Sequence, residues 1–465
     1  MQVLDLGPER VVEDTPTAAP APPAPPVPPA PLGSPGDPGV DDHVVWTRRA
    51  GDPATQHQRT TAPDGEGGLF VSGSFNATID LGGGNHFSQG SSDTYLVRYD
   101  REGRYLWSRV FGDPKAQGGM WLAPTPDGGV VMAGDLVGVV DFGDGPHTAG
   151  GTDAVVARFD AEGNLLWSRS FGGPGLQSVR DVAVDPDTGA TYVTGPFHQF
   201  IDFGGGAFTT SGHANMFVAR LDHNGDHVWS RHLKSAANGY GNGIAVREGR
   251  VVVAGSVDGD ADLGQGLLDS AGDGLPDAWV ALFDTDGAPI WTHLYADPGD
   301  ESFRSAAFDP TGHIALGGVF LGSMVLGPFS ESAPLSGFVV KLTPGGVPDR
   351  LESFPGLVGA FRVAATPDGD VALTGIFGGG LQIGDDILTA DGIDDGVLVM
   401  LDAALEPRWH VVLRSTENVS FGGLSVDTDG TLWSSGSFSG SAQMGSCSVY
   451  ESAGELDVMF ARLRP

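Results

Sequence analysis

The chain has one cysteine, Cys447, so no disulfide can form within it and no cysteine-rich metal site is possible. Basic residues are also scarce, 25 Lys and Arg against 59 Asp and Glu, for a formal charge of -34. Affinity for phosphate backbones comes from clustered cations, so a nucleic-acid partner is excluded, as is adhesion to an anionic membrane surface. No apolar run approaches the roughly 18 residues of a membrane span, so no membrane insertion is expected. The first ten residues, Met1 to Arg10, lack a basic segment followed by an apolar one, so no signal peptide is read there. Sustained 3.6-residue periodicity is missing too, which predicts almost no helix.

What is abundant is glycine, 73 of 465 residues, roughly twice average usage. Scattered through apolar alternation, it marks short strands joined by tight turns. Hydrophobic residues make up 40% and charged ones 18%, enough to bury a core despite the acidic balance. Residues 1–40 read as a disordered, Pro-rich tether. Its stretch Ala18–Pro31 (AAPAPPAPPVPPAP) favours extended polyproline II and cannot supply a ladder of N–H donors.

Residues 41–465 repeat. A hairpin signature Asp-x-x-Gly-x-x-x-Trp occurs at Asp100/Gly103/Trp107, Asp160/Gly163/Trp167, Asp222/Gly225/Trp229 and Asp284/Gly287/Trp291. A worn copy keeps Asp402 and Trp409, Trp46 is the same landmark at the start, and Arg350 takes the position once. Glycine pairs nine apart form a second marker, from Gly73/Gly82 to Gly436/Gly445. Both markers count seven. Each repeat of about 60 residues holds four apolar stretches separated by turn signals, which predicts an all-β, closed seven-bladed β-propeller. The strand at 43–49 lacks a preceding third strand, and the strand at 457–463 lacks a following fourth. Their pairing is expected to close the ring and remove two open edges.

The recurring Trp46, Trp107, Trp167, Trp229, Trp291 and Trp409 read as packing between blades, since one ligand rarely touches every blade equally. Asp80, Asp141, Asp202 and Asp262, one per repeat, read as turn caps. Metal spacing is approached by Asp258, Asp260 and Asp262 in SVDGDADLG, a weak calcium candidate without the distal glutamate of a full calcium loop. No other cofactor is expected. About ten residues after each tryptophan position lie Gln56, Gln117, Gln177, Asn238, Glu301 and Asn418. They could ring a funnel mouth with groups suited to a glycan or a peptide backbone, or they could cap strand starts. Function is expected on the face carrying the connections of about 20 residues, because scaffolds carry function on their variable loops.

The Asp-x-x-Gly-x-x-x-Trp hairpin resembles the tryptophan-docking motif of quinoprotein dehydrogenases. Those enzymes typically add a vicinal cysteine pair that Cys447 alone cannot supply. Over about 43–465 the chain is more similar to bacterial SBBP-type repeat proteins. The likeness is carried by Asp153–Phe171, then Gly172-Gly173, then Val182-Ala183-Val184-Asp185, then Tyr192-Val193-Thr194-Gly195. In the last three repeats Val325, Gln382 and Gln443 replace the loop aspartate. This resemblance implies a protein of the cell envelope or exterior, often a lipoprotein, without established catalysis. The expected function is therefore a monomeric, non-catalytic propeller that binds a protein or polysaccharide. The alternatives are a propeller enzyme, quinone-dependent or a calcium-assisted lactonase or lyase, and a sensor or spacer domain of a longer protein.

Overall fold

The computed structural model describes residues 43–465, apart from the side chains at positions 360 and 361. These residues fall within one compact unit, Gly33–Pro465. The proline-rich tether read at 1–40 lies outside them. Among the described residues there is no helix. The architecture is an all-β propeller arrangement.

Five four-stranded and two six-stranded antiparallel sheets carry most of the chain. The first is Gln56–Pro63, Leu69–Phe75, Asp93–Tyr99 and Tyr105–Phe111, in sequence order. This meander is the arrangement expected of four alternating stretches with a tight Asp-x-x-Gly turn between the third and fourth. Second and third strands such as Leu69–Phe75 and Asp93–Tyr99 are buried along their whole length. Both of their faces pack against neighbouring sheets, so they read as near-continuous apolar runs. The first strand, Val44–Ala50, pairs antiparallel with the last, Asp457–Leu463, from Val44 opposite Leu463 to Ala50 opposite Val458. An ion pair between Arg49 and Asp457 ties the same two strands.

Successive innermost strands pack on one another. Gln56–Pro63 meets Trp121–Pro124, which meets Asp181–Val184, which meets Gly239–Arg247. Asp300–Phe308, Leu357–Ala365 and Val419–Val426 continue the series, and Val419–Val426 returns to Gln56–Pro63.

Five of these seven innermost strands share a distortion. The register of Gln56–Pro63 shifts between Gln58 and Thr60, and the same step recurs at Gly241/Gly243, Phe303/Ser305, Ala360/Arg362 and Phe421/Gly423. Opposite each step stands the first glycine of a spaced pair. A Cβ on Gly73 would lie 2.0 Å from the His57 carbonyl oxygen, and one on Gly255 would lie 1.8 Å from that of Tyr240. The glycine is what lets the bulged backbone approach. A bulge adds one residue to a strand and re-aims its side chain.

The long connections between second and third strands behave differently from free loops. Residues Ile79 and Leu81, Val140 and Phe142, Ile201 and Phe203, Ala261 and Leu263 flank the repeated aspartates, and all are buried. Short hairpins form there, such as Thr78–Asp80 with Asn85–Phe87. Two of them extend the preceding sheet, Ala261–Asp262 on His227–Ser235 and Ser441–Met444 on Pro407–Ser415. Much of the long-loop sequence is thus packing material at the periphery rather than open binding surface.

Candidate functional site

The repeated tryptophans act between sheets. Their indole Nε1–H groups donate to a carbonyl in the next repeat's third-to-fourth turn: Trp46 to Arg101 at 3.0 Å, Trp107 to Ala161 at 2.8 Å and Trp167 to His223 at 2.9 Å. Trp229 reaches Thr285 at 2.7 Å and Trp291 reaches Pro344 at 3.0 Å. The turn glycine beneath the ring has positive φ, +80° at Gly225, and a Cβ there would meet Trp167 at 2.6 Å. The Asp-x-x-Gly of one repeat is therefore the socket for the tryptophan of the preceding one. Trp409 stacks on His43 at 4.0 Å instead.

Asp80 accepts Gly82 N–H and Gly84 N–H, and Asp141, Asp202 and Asp262 repeat that geometry. The calcium candidate requires correction. Asp258 accepts from Asn238 Nδ2, Asp260 from Ser270, and Asp262 caps its own turn. These three carboxylates serve separate partners because alternation and the turn at Gly259 disperse them. Among the described residues no group of three His, Cys, Asp or Glu side chains could hold a metal ion.

The expected funnel residues start the innermost strands at the long-loop face, but most are turned inward. Gln56, Gln117, Gln177 and Glu301 are buried, Asn238 is half-buried and Asn418 is exposed. Gln56 Nε2 donates to Asp52 Oδ1 at 3.0 Å, and Gln117 Nε2 to Asp113 Oδ1 at 2.9 Å and Val137 O at 2.6 Å. Gln177 Nε2 reaches His198 O at 3.2 Å. Asn238 Oδ1 accepts Ala214 N–H. The glutamines brace nearby connections, and Asn238 ties its strand to the preceding sheet. Glu301 stands where the first three repeats have glutamine, and no protein donor reaches its carboxyl oxygens. Burial, then the neighbouring Asp297, pushes its carboxyl up to about 9.

The side chains that do converge lie three to four residues further along the same strands. Arg59, Trp121, Arg180, Asn242 and Arg304 come from five sheets and line one cavity of about 350 Å³, with Val319, Val358 and Gly359. The Arg59 guanidinium stacks on the Trp121 ring 3.9 Å from its centroid, and that of Arg362 lies at 4.1 Å. Arg362 also holds buried Asp181, both Nη atoms 3.0 Å from Oδ1, while Asp181 Oδ2 accepts Ile244 N–H at 3.0 Å. Arg59, Arg180 and Arg304 form no ion pair with any described residue. Burial, then the like charges of Arg362 and Arg180, pushes Arg59 down to about 10. Arg59 Nε, Arg362 Nε and Trp121 Nε1 are buried donors without a hydrogen-bond partner.

Sequence reading passed over this cluster although a signal exists. Arg59, Arg180 and Arg304 each follow a repeat tryptophan by 13 residues, an offset shared by Asn242. A cation repeated at one offset in so acidic a chain is the mark of a shared locus.

No family model matches the chain. Regulatory protein FlaEY of Caulobacter vibrioides is 27% identical over 184 residues, which is 38% of this chain and 19% of that protein. The chain thus spans about a fifth of the length of this curated relative. Among solved structures, Sqt1 from Chaetomium thermophilum is similar at 12% identity and a TM-score of 0.43, over 92% of this chain and 100% of that one.

Proposed function

We propose that residues 41–465 form a closed seven-bladed propeller of the SBBP repeat type, and that it is a non-catalytic binding module of the cell envelope. Its ligand, a protein or polysaccharide, enters from the long-loop end and engages the channel wall. Closure is supported by the pairing of Val44–Ala50 with Asp457–Leu463 and by the unbroken series of innermost strands. The envelope assignment follows from the repeat resemblance.

The observation that carries the binding reading is the convergence of arginines from different sheets on one cavity with Trp121. Packing does not call for it, since like charges brought together repel and Arg59 is desolvated as well. Guanidinium groups stay protonated and present fixed donor forks, which suits holding an anion rather than shuttling protons.

The test is co-sedimentation of the protein with polysaccharide and protein fractions of the host envelope, comparing wild type with the Arg180→Ala/Arg304→Ala variant. Retention by wild type and loss by the variant is the expected result. Equal retention would move the site elsewhere, and release of a cleaved or oxidised product would replace the binding reading with an enzyme.

A further inference from the structure

The geometry points to a sugar acid as the ligand of the channel: a single uronate unit, free or at the end of a polysaccharide chain, whose carboxylate is held by Arg59, Arg180 and Arg304. This inference deepens the binding reading above and rests on it. The cavity of about 350 Å³ stands at the small end of ligand pockets, room for one sugar-sized molecule but not for a folded partner.

Its lining is rich in donors. Three guanidiniums lack a carboxylate partner, and Trp121 Nε1 and Arg59 Nε are buried donors without a protein acceptor. Orphaned buried donors are costly in isolation, and a bound acceptor would remove that cost. A planar carboxylate matches the guanidinium fork in a way that a neutral sugar cannot.

The charge balance favours an anion. Arg362 is matched by Asp181, whereas Arg59, Arg180 and Arg304 line the cavity without an ion pair.

Hydroxyl groups complete the match. Asn242 donates its Nδ2 to Phe303 O at 2.9 Å, which leaves Oδ1 as an acceptor on the wall. A sugar hydroxyl can serve it.

Isothermal titration of the full chain at pH 7 with D-galacturonate, D-glucuronate and tri-galacturonate tests this, with galactose, inorganic phosphate and L-glutamate as comparisons. A uronate is expected to bind one per chain and galactose not at all. Tighter binding of the trimer than the monomer would identify a chain end as the source, and equal binding the free sugar acid. Arg180→Ala/Arg304→Ala should weaken uronate binding at least tenfold. Both side chains are exposed, so their loss leaves the core unchanged, as an unaltered melting temperature would confirm. Absence of uronate binding, equal affinity in the variant, or tighter binding of phosphate or glutamate would each overturn the proposal. Envelope material retained by wild type while uronates fail would sink the sugar-acid assignment and leave the binding reading standing.

Discussion

Single residues in this protein act through the neighbour they meet in another repeat. Gly225 carries no chemistry, yet its positive φ and missing Cβ make room for Trp167, whose Nε1–H then finds the His223 carbonyl. Glu301 is the opposite case, a side chain at odds with its position. Gln56 and Gln117 donate an amide N–H to an aspartate four residues earlier, whereas Glu301 faces Asp297 with no donor unless it keeps a proton. Its folded value of about 9 lies far above the ordinary carboxylate range, so the native state holds a proton that the unfolded chain releases. That linkage lowers stability as pH rises from about 4.5 towards 9. Glu301→Gln supplies a permanent donor. It should stabilise the protein by about 1–3 kcal/mol at pH 8, with the gain shrinking towards pH 5. Thermal melts at the two pH values check this, and a variant no more stable than wild type at pH 8 would show that Asp297 needs no donor.

At the scale of elements, two devices are repeated around the molecule. The bulge in five of the innermost strands places residues such as Arg59, Asn242 and Arg304 at the cavity, and the glycine opposite permits it. The strand Val44–Ala50 completes the sheet of Val419–Val426, Leu432–Phe438 and Asp457–Leu463. It brings Trp46 against Trp433 at 5.7 Å and Phe460 at 6.2 Å. Deleting residues 43–50 removes this strand, uncovers an edge and takes away an indole whose loss alone costs about 3–5 kcal/mol. Size-exclusion chromatography should show aggregation, and melting should fall sharply. A monomer of unchanged melting temperature would contradict the role of that strand.

For the whole molecule, charge and burial combine into a pH optimum. Burial pushes Asp277 and Glu352 up to about 6, and raises Asp93, Asp395 and Asp457. Glu301, held up to about 9, makes stability rise as pH falls from 9 towards 6, and Asp277 and Glu352 add to that gain only as pH falls through about 6. Below about 6.5 the trend is opposed. Burial holds His57, His86, His227, His232 and His293 below the usual imidazole range, so each prefers to charge in the unfolded chain. The melting temperature is expected to peak near pH 6. A value climbing steadily from pH 6 to pH 9 would refute this balance.

The repeat length, the four strands per repeat and the role of Asp80 and its counterparts as turn caps were legible in the sequence. Alternation, turn chemistry and glycine spacing are local properties, carried by residues a few positions apart. The packing role of the tryptophans was legible for a related reason, since recurrence at one offset implies one environment. The arginine cluster was not. Gln56, Gln117 and Gln177 look like surface amides until the connections they brace are folded over them, and Asp258, Asp260 and Asp262 look convergent until their partners separate them. Arg59, Arg180, Arg304 and Arg362 are more than 50 residues apart in the chain, and only the inward aim of neighbouring strands brings them around Trp121. The sequence by itself thus determined the strands and their order. Tertiary structure decided which side chains share the cavity, because that depends on bulge geometry and on contacts between sheets that no local pattern encodes.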